Sequence, residues 1–185
     1  MFNIKHSKIF YNSFIDEINQ KLLEIDLDLF HKSSKSILKV KKKNGKLIFL
    51  GNGGSAAIAS HCSVDFTKVC KIRSINFNEA DLLTCYSNDF GQENWAKECL
   101  KSYADPKDLL IAISSSGNSA NIVNACLYAR SKNIEILTLT GFSKKNKVKK
   151  LGNINLWVES DKYNIIESVH QTFLLSICDY IKNEK

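Results

Sequence analysis

Short continuous apolar runs alternate with stretches of helical periodicity along this chain. Residues 8 to 32 place Ile9, Tyr11, Phe14, Ile15, Ile18, Leu22 and Leu23 at the spacing of one helix face. A second helical run carries Ile37, Leu38 and Val40 and stops at Asn44-Gly45. A first strand is predicted over Lys46 to Leu50, followed by the loop Gly51 to Ser55 and a helix to about Val69. Residues 71 to 78 alternate as a short strand would, and a helix is predicted from Glu79 to Ser87. Asn88-Asp89-Phe90-Gly91 reads as a turn, and a further helix runs from Gln92 to Tyr103, broken by Asp105-Pro106. Strand three is Leu109 to Ile113, with a helix to Ser131 behind it; strand four is Ile134 to Thr140. A short basic helix is predicted over Ser143 to Leu151, strand five over Ile154 to Val158, and a last helix over Tyr163 to Lys182. Apolar strands alternating with helices are the signature of an α/β parallel sheet covered on both faces. The helices before strand one form an N-terminal extension, residues 1–44, ahead of a core at 45–185, all in one domain.

Two strand-to-helix junctions stand out against this background. One is Gly51-Asn52-Gly53-Gly54-Ser55, the other Ser114-Ser115-Ser116-Gly117-Asn118-Ser119. Both lie at carboxyl ends of strands, where parallel sheets bind ligands. A helix N-terminus presents unpaired N–H groups and positive potential, and neighbouring hydroxyls add donors, so either turn suits a phosphate. Taken singly, either is also an ordinary connecting loop. The first does not have the glycine spacing of a dinucleotide fold, and no Lys-Ser/Thr follows it as in a P-loop.

Composition narrows the class without choosing the chemistry. At 185 residues, with 44% hydrophobic and 24% charged positions, the chain reads as one globular domain with a real core. No run approaches the roughly 18 apolar residues of a membrane span. The opening Met1-Phe2-Asn3-Ile4-Lys5-His6 lacks the apolar core and cleavage site of a signal peptide. The six cysteines are scattered without a CxxC pair, as reduced thiols in a cytoplasmic protein would be. The net charge of +7 gathers in two lysine patches, Lys39, Lys41, Lys42, Lys43, Lys46 and Lys144, Lys145, Lys147, Lys149, Lys150. Neither is interleaved with aromatics or joined to a nucleic-acid motif, so solvated faces are expected rather than a nucleic-acid surface.

Candidate chemistry lies on two helices. His61 and Asp65 are four apart and share a face, a spacing that holds a metal or pairs a base with its orienter. On the last helix, Glu167, His170 and Gln171 form a polar group among Ile165, Ile166, Val169, Phe173 and Leu174. The plain alternative there is the solvent side of an amphipathic helix.

Several motifs in order now carry a resemblance. Gly51-Asn-Gly-Gly-Ser-Ala-Ala57 with His61, Asn88-Asp89-Phe90-Gly91, Ile113-Ser-Ser-Ser-Gly-Asn-Ser119 with Asn121, Leu139-Thr-Gly141 and Ile177-Cys178-Asp179 resemble the sugar isomerase (SIS) domain family. Within it they resemble the sedoheptulose-7-phosphate isomerases. The resemblance implies a flavodoxin-like three-layer sandwich with a five-stranded parallel sheet, and a homotetramer with sites at subunit interfaces. It implies a sugar phosphate held by Ser114, Ser115, Ser116 and Ser119, with Asn52, Gly53, Gly54, Ser55, Asn88 and Asp89 along the sugar. It also implies zinc or another divalent metal, bound in the family by a His and a Glu on the first helix and a Gln and a His on the last.

Here the chain departs from the family it resembles. His61 matches, but the Glu is Asp65, and a gapless count from Ile177-Cys178-Asp179 puts the Gln at Glu167 and the second His at Leu175. Leucine neither binds metal nor moves protons. The expected metal set is therefore His61, Asp65 and Glu167, with Asp65 and Glu167 as the catalytic carboxylates. A carboxylate one methylene shorter must sit closer or work through water, and a misplacement of about 1 Å costs roughly a hundredfold in rate. Three readings follow: a phosphosugar isomerase with altered chemistry; a non-catalytic partner-binding relative, like the DnaA initiator-associating protein; or a phosphosugar-binding module.

Overall fold

The computed structural model describes residues 3–184. Two helices come first, α1 (Ile4–Leu23) and α2 (Leu27–Lys42). The helical run predicted over 8 to 32 is thus broken near residue 25, because the Asp26 side chain accepts the Asp28 N–H and restarts the chain as an N-cap. The core then alternates β1 (Leu47–Leu50), α3 (Gly54–Lys68), β2 (Ser74–Asn76), α4 (Ala80–Phe90), α5 (Trp95–Tyr103), β3 (Leu109–Ser114), α6 (Ala120–Ser131), β4 (Glu135–Thr140), β5 (Ile154–Trp157) and α7 (Tyr163–Asn183).

The five strands are all parallel, in the order β2-β1-β3-β4-β5. Strands β1 and β3 are buried at every position, which explains their unbroken apolar sequence. Alternate strand residues feed two cores. Phe49, Ile111 and Leu137 pack with Phe66, Phe173 and Ile177 of α3 and α7 on one face, where α2 joins them through Ile37 and Val40. Ile48, Leu110 and Ile136 pack with Trp95, Leu100, Ile122 and Cys126 of α5 and α6 on the other. The predicted three-layer α/β sandwich and five-stranded parallel sheet are present.

Three local expectations are corrected. Asn88, Asp89 and Phe90 are not a turn but the last residues of α4, which ends one turn later at Gly91 with φ 83°. The basic helix expected over 143–151 is a series of turns ending in a short 3-10 segment, Lys149–Leu151. Asn146 causes this: its buried side chain donates to the Ser143 carbonyl at 2.9 Å and accepts the Lys149 N–H at 2.8 Å, replacing helical hydrogen bonds. The lysine patches also divide. Lys46 meets Asp105 and Asp108 at 2.9 and 2.6 Å, Lys39 meets Glu135 at 3.0 Å, and Lys41 donates to the Cys70 carbonyl at 2.8 Å. No helix among the described residues is long and apolar enough to cross a membrane.

Candidate functional site

The two glycine/serine turns come together because β1 and β3 are neighbours in the sheet. A cavity of about 110 Å³ opens at their carboxyl ends, lined by Asn52, Ser55, Ser114, Ser115, Ser116, Ser119, Tyr163 and Glu167. Asn52 and Asn121 lock the turns to one another through two reciprocal amide hydrogen bonds of 3.0 and 2.8 Å. Gly117 takes φ 64°, which lets its N–H reach back to the Ser114 carbonyl at 2.9 Å and closes the serine turn.

What the cavity offers is mostly donors. Ser115 is 5% exposed, and its hydroxyl has no partner among the described residues. A buried hydroxyl without a partner is costly, about 1–3 kcal/mol, unless a ligand or water completes it. Neither α3 nor α6 has a side-chain cap on its first N–H groups. Gly53, before α3, has φ 53° and open space where a Cβ would stand. Two uncapped helix N-termini and a ring of hydroxyls form a setting for a phosphate group.

Among the described residues Glu167 is the one carboxylate lining this cavity. It reaches across from α7 and rests over Gly54, so closely that a Cβ added there would collide with its carboxylate. Anionic charge at the first residue of α3 is favoured by the helix dipole. Glu167 also lines an adjoining cavity of about 390 Å³, with Gly54, Ala57, Ile58, Asn164, Ser168, Gln171 and Phe14. Among the described residues no other lines both cavities.

Further along α3, the His61 Nε2 lies 3.2 Å from Asp65 Oδ2, as the spacing predicts, and both side chains are partly exposed. The other ring nitrogen, Nδ1, meets the Gln171 side-chain amide at 3.1 Å. Of the expected trio His61, Asp65 and Glu167, the structure therefore joins the first two and sets the third beside Gly54, seven residues before His61 on α3. Among the described residues no three His, Cys, Asp or Glu side chains cluster as metal ligands. Gln171 was legible in sequence only as part of a polar face; its pairing with His61 needed the register of α3 against α7. Leu175, one turn after Gln171, packs on the hydrophobic core. His170 is fully buried with Nε2 3.2 Å from the Thr140 carbonyl, so it belongs to the core and not to the site. Asn88 and Asp89 line neither cavity; they are exposed and bond one another at 3.0 Å.

Residues 10–141 match the SIS domain family. The chain belongs to the SIS domain family. It is 34% identical over 170 residues to the phosphoheptose isomerase of Aliarcobacter butzleri, covering 89% of each chain. It is 30% identical to the probable phosphoheptose isomerase of Thermoplasma volcanium over 177 residues, covering 92% of this chain and 89% of that one. The fold superposes on phosphoheptose isomerase GmhA from Neisseria gonorrhoeae with a TM-score of 0.87 at 24% identity, covering 96% of this chain and 98% of that one. The corresponding enzyme of Francisella tularensis gives 0.88 at 22% identity, with both chains covered completely.

Proposed function

We propose that the protein is a phosphosugar isomerase of the phosphoheptose isomerase type, interconverting sedoheptulose 7-phosphate and its aldose. The observation that carries this is the donor-lined serine cavity, with its unpaired Ser115 hydroxyl, next to a His61–Asp65 pair on the helix that leads away from it. Relatives at 30–34% identity over most of the chain are named as phosphoheptose isomerases, which supports the same reaction here.

The chain's own groups divide the work. Ser114, Ser115, Ser116 and Ser119 hold the phosphate. Asn52, Gly53, Gly54 and Ser55 border the sugar. Asp65 is the carboxylate placed to take a proton from the carbon beside the carbonyl, with His61 at 3.2 Å to orient it. The donor set also suits a divalent metal. His61 and Asp65 supply an imidazole and a carboxylate, and Gln171 adds an amide oxygen when its side chain is turned over, giving three donors and an open position. Zinc or another divalent ion held there would polarise the substrate carbonyl. Leu175 can neither complete that set nor deliver a proton, so with His61 engaged by Asp65 and the ion the acid must be water.

Assembly as a homotetramer fits the apolar residues left uncovered on α1, where Ile4, Ile9, Phe10 and Tyr11 are 87, 61, 67 and 64% exposed. Asn88 and Asp89, exposed at the end of α4, would then face a neighbouring subunit's sugar. The expected location is the cytoplasm.

Asp65→Asn tests the reaction. Turnover of sedoheptulose 7-phosphate should fall at least about a hundredfold while phosphate binding persists. A second reading, a phosphosugar-binding or partner-binding protein without catalysis, is favoured by Leu175 alone. It gains if the wild-type protein binds the sugar phosphate and turns none over.

A further inference from the structure

The first lysine patch is only partly engaged. Lys39 meets Glu135, Lys41 meets the Cys70 carbonyl, and Lys46 meets two aspartates. Lys35, Lys42 and Lys43 have no carboxylate within ion-pair distance among the described residues. Lys35, Lys39 and Lys42 recur at helical spacing, so they form a row along one face of α2, roughly 10 Å from first to last. Neighbouring ammonium groups repel one another, and an anion lying between them removes that cost.

This row does not stand on a convex, solvated face. It walls a cavity of about 640 Å³, and Tyr180 and Glu184 at the end of α7 form the other wall. The volume is that of a small-molecule site and exceeds both cavities beside the serine turn. Leu38 and the Tyr180 ring give the cavity an apolar floor. Phe30 holds that ring from its edge, with centroids 5.5 Å apart at 64°, and Tyr180 stays 37% exposed. Glu184 is the one carboxylate among the described lining residues, and the three unpaired lysines outnumber it. The place is remote from the serine cavity. α7 starts at that cavity with Tyr163, and Tyr180 lies seventeen residues later, roughly 25 Å along the helix.

The walls define the occupant by their chemistry. A bare inorganic anion would leave the apolar floor unused, and an uncharged aromatic would leave the lysines unpaired. A membrane surface or a duplex is too broad to enter a concavity of this size. A flat ring carrying two phosphates matches both walls: the ring lies against Tyr180 and Leu38, and the phosphates reach along the lysine row. We propose that the cavity between α2 and the end of α7 is a binding site for a nucleoside diphosphate, its base on Tyr180 and its phosphates on Lys35, Lys42 and Lys43. The assignment does not depend on the phosphosugar reading, since the two sites share no residue.

Calorimetry on the full chain tests it, with ADP, adenosine and inorganic pyrophosphate as probes at about 0.15 M salt. The expected result is one ADP bound per chain, at least about tenfold tighter than either adenosine or pyrophosphate. The double variant Lys42→Glu, Lys43→Glu should weaken ADP at least about tenfold. Tyr180→Leu should also weaken ADP about tenfold and leave pyrophosphate unchanged, because it removes only the stacked ring. Thermal melts check that each variant folds; the lysine pair is exposed, so it keeps the test open if Tyr180→Leu is unstable. Ser115→Ala should leave ADP affinity unchanged. ADP binding no tighter than pyrophosphate would overturn the proposal and leave a lysine face that attracts any anion. So would ADP affinity within about threefold of wild type in the folded lysine variant. Loss of ADP binding in Ser115→Ala would place the nucleotide in the serine cavity instead, and absence of ADP binding in the wild type would end the proposal outright.

Discussion

Replacing Gly54 with alanine separates the binding role of this region from its structural one. Gly54 is the first residue of α3 and its backbone is not in the left-handed region, so alanine gains up to about 1 kcal/mol of helix propensity. Against that gain, the new methyl needs the space held by the Glu167 carboxylate. The obstacle is the far end of a flexible side chain, which can rotate away at a cost of about 0.5–1.5 kcal/mol. The two terms nearly cancel. For a chain of this size the melting temperature should move by less than about 4 °C. Binding should respond differently, because the displaced carboxylate no longer stands between the two cavities. Sedoheptulose 7-phosphate affinity, measured by calorimetry, should fall about 10- to 100-fold while inorganic phosphate binds as before. An unchanged sugar-phosphate affinity in a normally folded Gly54→Ala protein would refute this reasoning. A fall in melting temperature beyond about 10 °C would place the importance of Gly54 in packing instead.

Other outcomes follow from the same structure. Gly117→Ala forces a non-glycine residue to φ 64° and drives its methyl into the Asn146 side chain, which holds the 143–149 turns. The left-handed cost of about 1–2 kcal/mol and the loss of buried hydrogen bonds together predict a melting temperature lower by about 6–12 °C in a thermal scan. Asn121→Ala removes both amide bonds to Asn52, and should weaken phosphate binding as well as costing about 1–3 kcal/mol in denaturant titration. Burial pushes the His170 imidazole down to about 4, partly offset by its bond to the Thr140 carbonyl. In the unfolded chain it titrates near 6.5, so the unfolded state binds the extra proton first as pH falls. Stability is therefore full above about pH 6.5 and declines by up to about 3 kcal/mol on the way to pH 4; a His170→Asn variant should show a flatter profile over that window.

The layers of the fold were legible because they depend on pattern. Apolar runs such as Leu109–Ile113 have room only inside a sheet covered on both faces, and the observed sheet follows. Boundaries set by single side chains were less legible. Asp26 restarts a helix that periodicity alone runs together, and Asn146 dissolves one that the basic stretch suggests. The serine turn could be read from hydroxyls and glycine next to a strand. Which α7 side chain meets His61 could not, because it depends on how far α7 is shifted along α3. That shift brings Gln171 to His61 and Glu167 to Gly54, a pairing that no count along a single helix reveals. Cys70 and Cys178 meet in the same way at the far end of the pair, with sulfurs 3.4 Å apart and no spacing in the sequence to announce it.

The most direct test of the proposed reaction is turnover of sedoheptulose 7-phosphate by the purified wild-type protein, assayed with and without added divalent metals. Formation of the aldose phosphate, lost in Asp65→Asn, is the predicted result. Tight binding of the sugar phosphate with no aldose formed under any metal supplied would contradict it.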